Sequence, residues 1–160
     1  PMVNPDGVGC GNYRSNLQGK DMNRHFYADD DKDAKERVYE VELLRSHLKK
    51  IYRPAQPDKF KLFLDIHAPS IGHSAFIYAP EPESEEDKLK VRRLPMILAN
   101  ASPYFSFDNC KFSNDRFKRN CARLSCFRDF NIAESYTLEL SCFGYEVKGS
   151  GGPTYSPDIE

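Results

Sequence analysis

The chain has 160 residues, of which 39% are hydrophobic and 29% are charged, and its formal net charge is -1. This length suits one domain with a modest core, and the near-neutral charge argues against a nucleic-acid-binding protein, which would be markedly basic. No apolar run approaches the roughly 20 residues of a membrane-spanning helix, and the first residues lack the basic-then-apolar pattern of a signal peptide.

The first half of the chain is predicted to form a loop, a helix and a strand. Residues 1–31 carry Asn-Pro, Asp-Gly and single glycines, which are turn signals and predict a loop. Residues 33–52 have a helical period that Pro54 ends. The apolar side chains of that helix share one face: Val38, Val41, Leu44, Leu48 and Ile51. Residues 60–67, FKLFLDIH, are apolar at both alternating positions, which predicts a strand inside a sheet covered by helices.

The second half is predicted to add two strands and two helices. Residues 74–80 predict a short strand, and an acidic turn then leads into a helix that reaches about residue 100, with a kink or break expected at Pro95. Residues 123–131 favour a helix over a strand, residues 134–141 alternate as a strand does, and residues 148–160 predict a loop. These elements predict one α/β domain over residues 1–160, with a mixed twisted sheet and helices on both faces.

The five cysteines indicate reduced thiols. Their number is odd and no Cys-x-x-Cys pair occurs among Cys10, Cys110, Cys121, Cys126 and Cys142, so neither a disulfide framework nor a thiolate zinc site is indicated. Because reduced cysteines are typical of cytosolic proteins, we expect a cytoplasmic protein.

His67 is a candidate metal ligand because it stands at the carboxyl end of an apolar strand, directly after Asp65 and Ile66. Ligands of α/β sheets gather beyond the carboxyl ends of strands. An imidazole there can bind a metal through one ring nitrogen while a carboxylate or carbonyl orients the other. The alternative is an ordinary surface histidine at a strand end.

Glu139 is a candidate general acid or base because it lies inside the strand sequence SYTLELS, among apolar and hydroxyl side chains. Desolvation in such a strand raises the pKa of a carboxylate, which suits it to proton transfer. The alternative is a strand edge with Glu139 facing water. Glu134 stands at the strand entrance and is the weaker candidate.

Arginines in polar or tightly packed segments are candidate anion ligands. Arg14 and Arg24 lie in the glycine-containing loop GNYRSNLQGKDMNRHF, and their guanidinium forks, aided by Asn23, fit a carboxylate or an oxyanion. Arg123, in NCARLSCF, is either a surface residue or a buried one that needs an anionic partner. The loop lacks the phosphate-binding pattern of a P-loop.

The motifs occur in a recognisable order: Asn-Pro-Asp-Gly, Gly-Asn-Tyr-Arg, Asp-x-Asn-Arg, Asp-x-His after a strand, and Ser-Tyr-Thr-Leu-Glu. This order resembles the zinc metallocarboxypeptidases, and more narrowly the cytosolic carboxypeptidase branch, whose members remove glutamates from the tails of tubulin and other proteins. The resemblance covers nearly the whole chain, from PMVNPDGV to SYTLELSCFG. It implies a zinc carboxypeptidase-like fold, truncated at both ends, and hydrolysis of acidic C-terminal residues from proteins or peptides such as tubulin tails.

The resemblance also implies catalytic roles for three residues. His67 matches a zinc ligand, and Glu139 matches the general base that activates the zinc-bound water. Arg14 matches the arginine that polarises the scissile carbonyl and stabilises the oxyanion.

Substrate-binding roles follow in the same way for the other three. Asn23 and Arg24 match the pair that clamps the terminal carboxylate of the substrate. Arg123 matches a basic residue of the specificity pocket, which in this branch favours an acidic C-terminal side chain.

The chain departs from the family pattern at the remaining zinc ligands, which lie in a His-x-x-Glu motif upstream of Asn-Pro-Asp-Gly. None of His25, His47, His67 or His73 has a glutamate three residues later, and the chain starts at Pro1 rather than Met. We therefore expect the C-terminal part of a catalytic domain, which lacks the upstream ligands and is poorly active in isolation.

Two further departures leave other functions open. His67 is followed by APSIGHS where the family usually has Gly-His-Ser or Ala-His-Ser, so His73 matches only with a local insertion, and NCA replaces Gly-Thr-Gly before Arg123. One alternative is a non-catalytic domain that binds acidic C-terminal tails. The other is a related zinc amidohydrolase of N-acyl amino acids, which also uses an Asp-x-Asn-Arg loop for a substrate carboxylate.

Overall fold

A computed structural model describes residues 2–27, 37–52, 61–69, 74–141, 145–146 and 153–154. The chain divides into two compact units: Pro1–Lys61 with Asn114–Ile132, and Leu62–Ser113 with Ala133–Glu160. The single domain over residues 1–160 stays a prediction. In the described part of the chain, no helix has both the length and the apolar character that crossing a membrane requires.

The elements agree with most of the sequence-based expectations. In chain order they are α1 (Pro5–Gly9), a 3-10 turn (Met22–Arg24), α2 (Tyr39–Ile51), β1 (Leu62–His67), β2 (Phe76–Ala79), α3 (Glu85–Ala101), β3 (Lys111–Phe112), a 3-10 turn (Arg116–Lys118), α4 (Ala122–Phe130), β4 (Glu134–Glu139), β5 (Tyr145–Glu146) and β6 (Pro153–Thr154). The prediction of loop alone was wrong at two places. Residues 1–31 contain α1, which Asn4 caps, and the C-terminal tail contributes β6, which pairs with β5.

In the first unit, α2 and α4 are joined by a buried ion pair as well as by apolar packing. Arg45 of α2 is 2% exposed, and its Nη1 donates to Asp129 Oδ2 at 2.7 Å and to Ser125 Oγ at 2.6 Å. The rings of Tyr52 and Phe130 meet edge to face at 5.5 Å. The predicted apolar face of α2 is confirmed at Val38, Val41 and Leu48, whereas Ile51 is exposed.

The second unit is built on a mixed sheet with the strand order β1-β4-β2-β3. β1 runs parallel to β4, β4 antiparallel to β2, and β2 parallel to β3. The helix α3 packs on one face of this sheet over a core of five side chains: Ile77, Ala79, Val91, Phe105 and Tyr136. The predicted α/β class with a mixed sheet is confirmed.

One expectation about this unit was wrong. β1 was expected inside the sheet, but it stands at one end of the described strand order, and its side chains Leu62, Leu64 and Ile66 are exposed. Of the kink or break expected at Pro95, the break is absent, because α3 continues through this residue. The helix tolerates this proline because the Tyr136 hydroxyl of β4 donates to the Val91 carbonyl, which the proline leaves without a helical partner.

Candidate active site

The candidate metal ligand and the candidate base lie side by side at the ends of two parallel strands. His67 pairs in register with Glu139, as Asp65 does with Thr137. Partners in a parallel pair project from the same face of a sheet. The Asp65 carboxylate lies 2.8 Å from His67 Nε2, which is the arrangement that orients a metal-binding histidine.

Glu139 and Glu134 occupy opposite faces of β4. Tyr136 and Glu134 both contact α3, through a hydrogen bond from the Tyr136 hydroxyl to the Val91 carbonyl at 3.0 Å and an ion pair from Glu134 to Arg93 at 2.9 Å. Because successive side chains of a strand alternate, Glu139 projects from the other face. Glu139 therefore shares a face with its register partner His67, and its role as the base stays a prediction.

Thr137 is a residue of this face that the sequence analysis missed. It is 3% exposed, and its Oγ1 has no hydrogen-bond partner in the described part of the chain. Its place two residues before Glu139 was the available signal, since both side chains share a face. An unsatisfied buried hydroxyl marks a position where a bound group or water would be stabilised.

In the first unit, the arginine loop is organised by Asp21, which the sequence analysis also missed. Arg14 Nη2 lies 2.8 Å from Asp21 Oδ2. The other carboxylate oxygen, Oδ1, caps the 3-10 turn by accepting the backbone N–H of Asn23 at 3.0 Å. The Arg14 side chain stays 49% exposed, so it is held in place and remains accessible to an anion.

The turn that leads to Asp21 is stabilised by a buried asparagine. Asn16 is 2% exposed, and its Oδ1 accepts the backbone N–H groups of Gln18 and Lys20 at 3.0 and 3.1 Å. Gly19 has a φ of 75°, a conformation that favours glycine, and Ser15 bridges to Asp21. The loop is therefore a defined turn that fixes the separation of Arg14 from the Asn23–Arg24 pair.

Asn23 connects this loop to the helix that carries Arg123. Its side-chain oxygen accepts the backbone N–H of Ala122, the first residue of α4, at 2.7 Å. Arg24 Nη1 donates to the Asn23 carbonyl at 2.7 Å. Arg123 follows Ala122 and is 4% exposed, so the sequence alternative of a plain surface arginine is excluded.

The structure thus brings the predicted residues together in two sets. Arg14, Asn23, Arg24 and Arg123 are connected within the first unit, and His67 and Glu139 are neighbours within the second. His73 lies outside the described residues, as does Cys142. The other four cysteines are free thiols.

Comparison with known proteins identifies the class. A family model described as zinc carboxypeptidase matches residues 1–149. The chain belongs to the zinc carboxypeptidase family, which confirms the resemblance drawn from the motifs.

Within that class, the relatives point to one branch. The chain is 35% identical to mouse cytosolic carboxypeptidase 2 over 156 residues, which cover 97% of the chain and 17% of that protein. It is 33% identical to mouse cytosolic carboxypeptidase 6, over 94% of the chain and 27% of that protein. The crystal structure of a metallo-carboxypeptidase from Burkholderia cenocepacia superposes with a TM-score of 0.70 at 26% identity, over 88% of this chain and 34% of the other. The chain therefore spans well under half the length of these relatives.

Family membership implies zinc as the cofactor, and the described residues fit one ligand position for it. His67 is a nitrogen donor of the type that zinc prefers, and Asp65 orients it. Among the residues that the structure describes, no three histidine, cysteine, aspartate or glutamate side chains gather into a metal-binding group. A full ligand set would therefore need donors beyond those residues.

Proposed function

We propose that the protein carrying this chain is a zinc-dependent metallocarboxypeptidase of the cytoplasm that removes glutamate from the C-termini of proteins with acidic tails, such as tubulin. The observation that carries the proposal is the in-register pair of His67 and Glu139, with Asp65 on the histidine. Family membership supports the reaction class, and the relatives' printed names, cytosolic carboxypeptidases, support the compartment.

His67 would hold zinc through the ring nitrogen that does not face Asp65. Zinc, when bound, supplies a water of lowered pKa and polarises the scissile carbonyl. Glu139 takes the proton of the attacking water while the new bond from oxygen to the carbonyl carbon forms. It then passes that proton to the leaving amine as the carbon–nitrogen bond breaks, so that the reaction is a hydrolysis with no other reactant.

Arg14 would stabilise the oxyanion that forms at the scissile carbonyl. Its ion pair with Asp21 fixes the guanidinium before substrate arrives, and preorganised charge is the most effective form of transition-state stabilisation. Part of the Arg14 side chain remains exposed, and a guanidinium has five N–H donors, so one anionic partner does not use them all.

Asn23 and Arg24 would bind the terminal carboxylate, and Arg123 the acidic side chain next to it. A bidentate guanidinium recognises a carboxylate specifically, and this requirement explains removal of residues from a C-terminus. Arg123 is buried in the first turn of α4, where the helix dipole disfavours a cation. An anionic substrate group offsets both costs.

The proposal is tested by incubating the full-length protein with one peptide in three forms and measuring released glutamate by mass spectrometry. The first form ends in glutamate with a free carboxylate, and the second ends in glutamate amide. The third is N-acetylglutamate, in which an acetyl group replaces the rest of the peptide. We expect release from the first form alone, because the amide lacks the terminal carboxylate and N-acetylglutamate lacks the residues that precede the scissile bond.

Each other outcome points to one of the alternatives. Hydrolysis of N-acetylglutamate with no action on the peptide contradicts the proposal and favours an amidohydrolase. Binding of the free peptide without release of glutamate, at full zinc content, contradicts it and favours a binding domain.

A further inference from the structure

The start of α4 depends on a residue that is distant in sequence. The first N–H groups of a helix have no partner within the helix, and the N-cap residue of α4, Cys121, makes no side-chain capping bond. Asn23 supplies the bond instead, since its Oδ1 lies 2.7 Å from the Ala122 nitrogen.

A second hydrogen bond joins the same two segments in the opposite direction. The backbone N–H of Phe26 donates to the Asn120 carbonyl at 2.9 Å. Two hydrogen bonds therefore hold the segment after Asp21 against the start of α4. They join Asn23 to Ala122 and Phe26 to Asn120. The orientation of the first turn of α4 follows from that of the 3-10 turn.

We infer that Asn23 is a positioning residue for the specificity pocket, which sets the place of Arg123 through the Ala122 N–H. Arg123 comes directly after Ala122 and is buried, so a shift of the first turn moves its guanidinium against fixed surroundings. This inference rests on the proposed function and gives Asn23 a task beyond contact with the terminal carboxylate. Its side-chain oxygen caps the helix.

The two roles of Asn23 make different predictions for selectivity. The terminal carboxylate is common to a peptide that ends in glutamate and one that ends in glutamine, so loss of the clamp lowers kcat/KM for both by the same factor. Displacement of Arg123 lowers it mainly for glutamate. The ratio of the two kcat/KM values therefore reports the position of Arg123.

The experiment compares Ala122→Pro with Ala122→Gly in the full-length protein. Proline removes the N–H that Asn23 binds, yet it is favoured at the first helical position, and the extended backbone of Cys121 suits a following proline. Glycine keeps the N–H. We expect the glutamate-to-glutamine ratio to fall about tenfold in Ala122→Pro and to stay within about twofold of wild type in Ala122→Gly. Arg123→Gln gives the glutamate-to-glutamine ratio of a pocket that lacks the guanidinium.

Hydrogen exchange at Ala122 gives a readout that does not need activity. Asn23→Ala should speed exchange of this amide by at least about tenfold, whereas Asn23→Asp, which keeps the oxygen acceptor, should leave it protected. Unchanged exchange in Asn23→Ala, or an unchanged ratio in Ala122→Pro, overturns the inference. A wild-type protein that releases no glutamate contradicts the proposed function instead, and the exchange at Ala122 still decides whether Asn23 holds the helix.

Discussion

Gly7 lies where α1 passes against the loop that carries Arg14. A Cβ at this residue would stand 2.5 Å from the Ser15 carbonyl oxygen and would also meet the Asn4 side chain, which donates to that oxygen. We expect Gly7→Ala to lower the free energy of unfolding by about 1–3 kcal/mol, as overpacking does. A Cβ at Gly9 in the same helix would have no atom within 4 Å. Gly9→Ala should therefore leave the free energy of unfolding unchanged or slightly raised. Urea unfolding measures the free energy of unfolding of both variants. An equal decrease in Gly7→Ala and Gly9→Ala would contradict the packing argument.

Asp129 provides a second test at single residues, with a defined pH dependence. Burial raises the pKa of this carboxyl, but hydrogen bonds from Arg128, Arg45 and Ser125 outweigh burial and hold it below its ordinary value of 3.8. A carboxyl with a lowered pKa stabilises the folded state above about pH 4, and this stabilisation is lost as the pH falls through the folded-state value. Asp129→Asn should cost about 3 kcal/mol at pH 7, because it removes the carboxylate charge that pairs with buried Arg45.

The matched measurement for Asp129 is the free energy of unfolding at pH 7 and pH 3. The difference between wild type and Asp129→Asn should shrink at pH 3. Glu86→Gln, which removes an exposed i,i+4 partner of Lys90, should change stability little at either pH. A constant difference across the pH range would show that the carboxylate charge of Asp129 is not the source of the stabilisation.

At the scale of residues, the sequence predicted candidate catalytic side chains and missed two residues beside them, Asp21 and Thr137. Arg14, His67 and Glu139 stand in recognisable motifs. Asp21 acts by capping a three-residue turn, which is too short to give a periodic signal. Thr137 gains its place opposite Asp65 from strand register, and register depends on pairing between distant segments.

Among the elements, α3 shows how a proline is accommodated within a helix. Pro95 has no N–H, so the carbonyl of Val91, four residues earlier, has no partner in the helix. The Tyr136 hydroxyl of β4 donates to that carbonyl at 3.0 Å, and burial raises the pKa of this hydroxyl, so it stays a donor. The sheet thus satisfies the group that the proline leaves free. The sequence analysis expected a kink or break because the pattern of one helix does not reveal a donor on a distant strand.

The effects of substitutions at Tyr136 and Pro95 on the free energy of unfolding should be coupled. Tyr136→Phe should lower the free energy of unfolding by about 1–3 kcal/mol, since it leaves a buried carbonyl unsatisfied. In a Pro95→Ala background the helix supplies its own N–H, so the same change should cost less. A double-mutant cycle by urea unfolding measures the difference, and additive losses would contradict the explanation.

Local sequence patterns predicted the helices and strands better than they predicted which strands are adjacent in the sheet. The helical period of α2 was sufficient to place this helix, because it buries one face. The alternation of β4 also placed that strand, although Ser135, Tyr136 and Thr137 are buried on both of its faces. β3, with two residues, and the β5–β6 pair are too short for periodicity. β1 was expected inside the sheet from its apolar residues, but apolar composition does not report the strand order in which it stands.

At the scale of the whole chain, the strand order places two candidate site residues next to each other. β4, late in the sequence, pairs in parallel with β1, and this pairing sets Glu139 beside His67. No local pattern contains that adjacency, whereas the order of the family motifs does. The family could therefore be predicted from the sequence, and the roles of the candidate residues stay predictions. The positions of Asp21 and Thr137 and the capping of α4 could be found only in the three-dimensional structure.

The central claim, that Glu139 is the base of a C-terminal hydrolysis, is tested most directly by glutamate release from a peptide by Glu139→Gln in the full-length protein, with zinc content measured in parallel. Glu134→Gln is the matched control, since Glu134 lies on the opposite face of β4 and pairs with Arg93. We predict that Glu139→Gln retains zinc and loses at least about a hundredfold in rate, whereas Glu134→Gln keeps its rate. A Glu139→Gln protein that releases glutamate as fast as wild type would contradict the account.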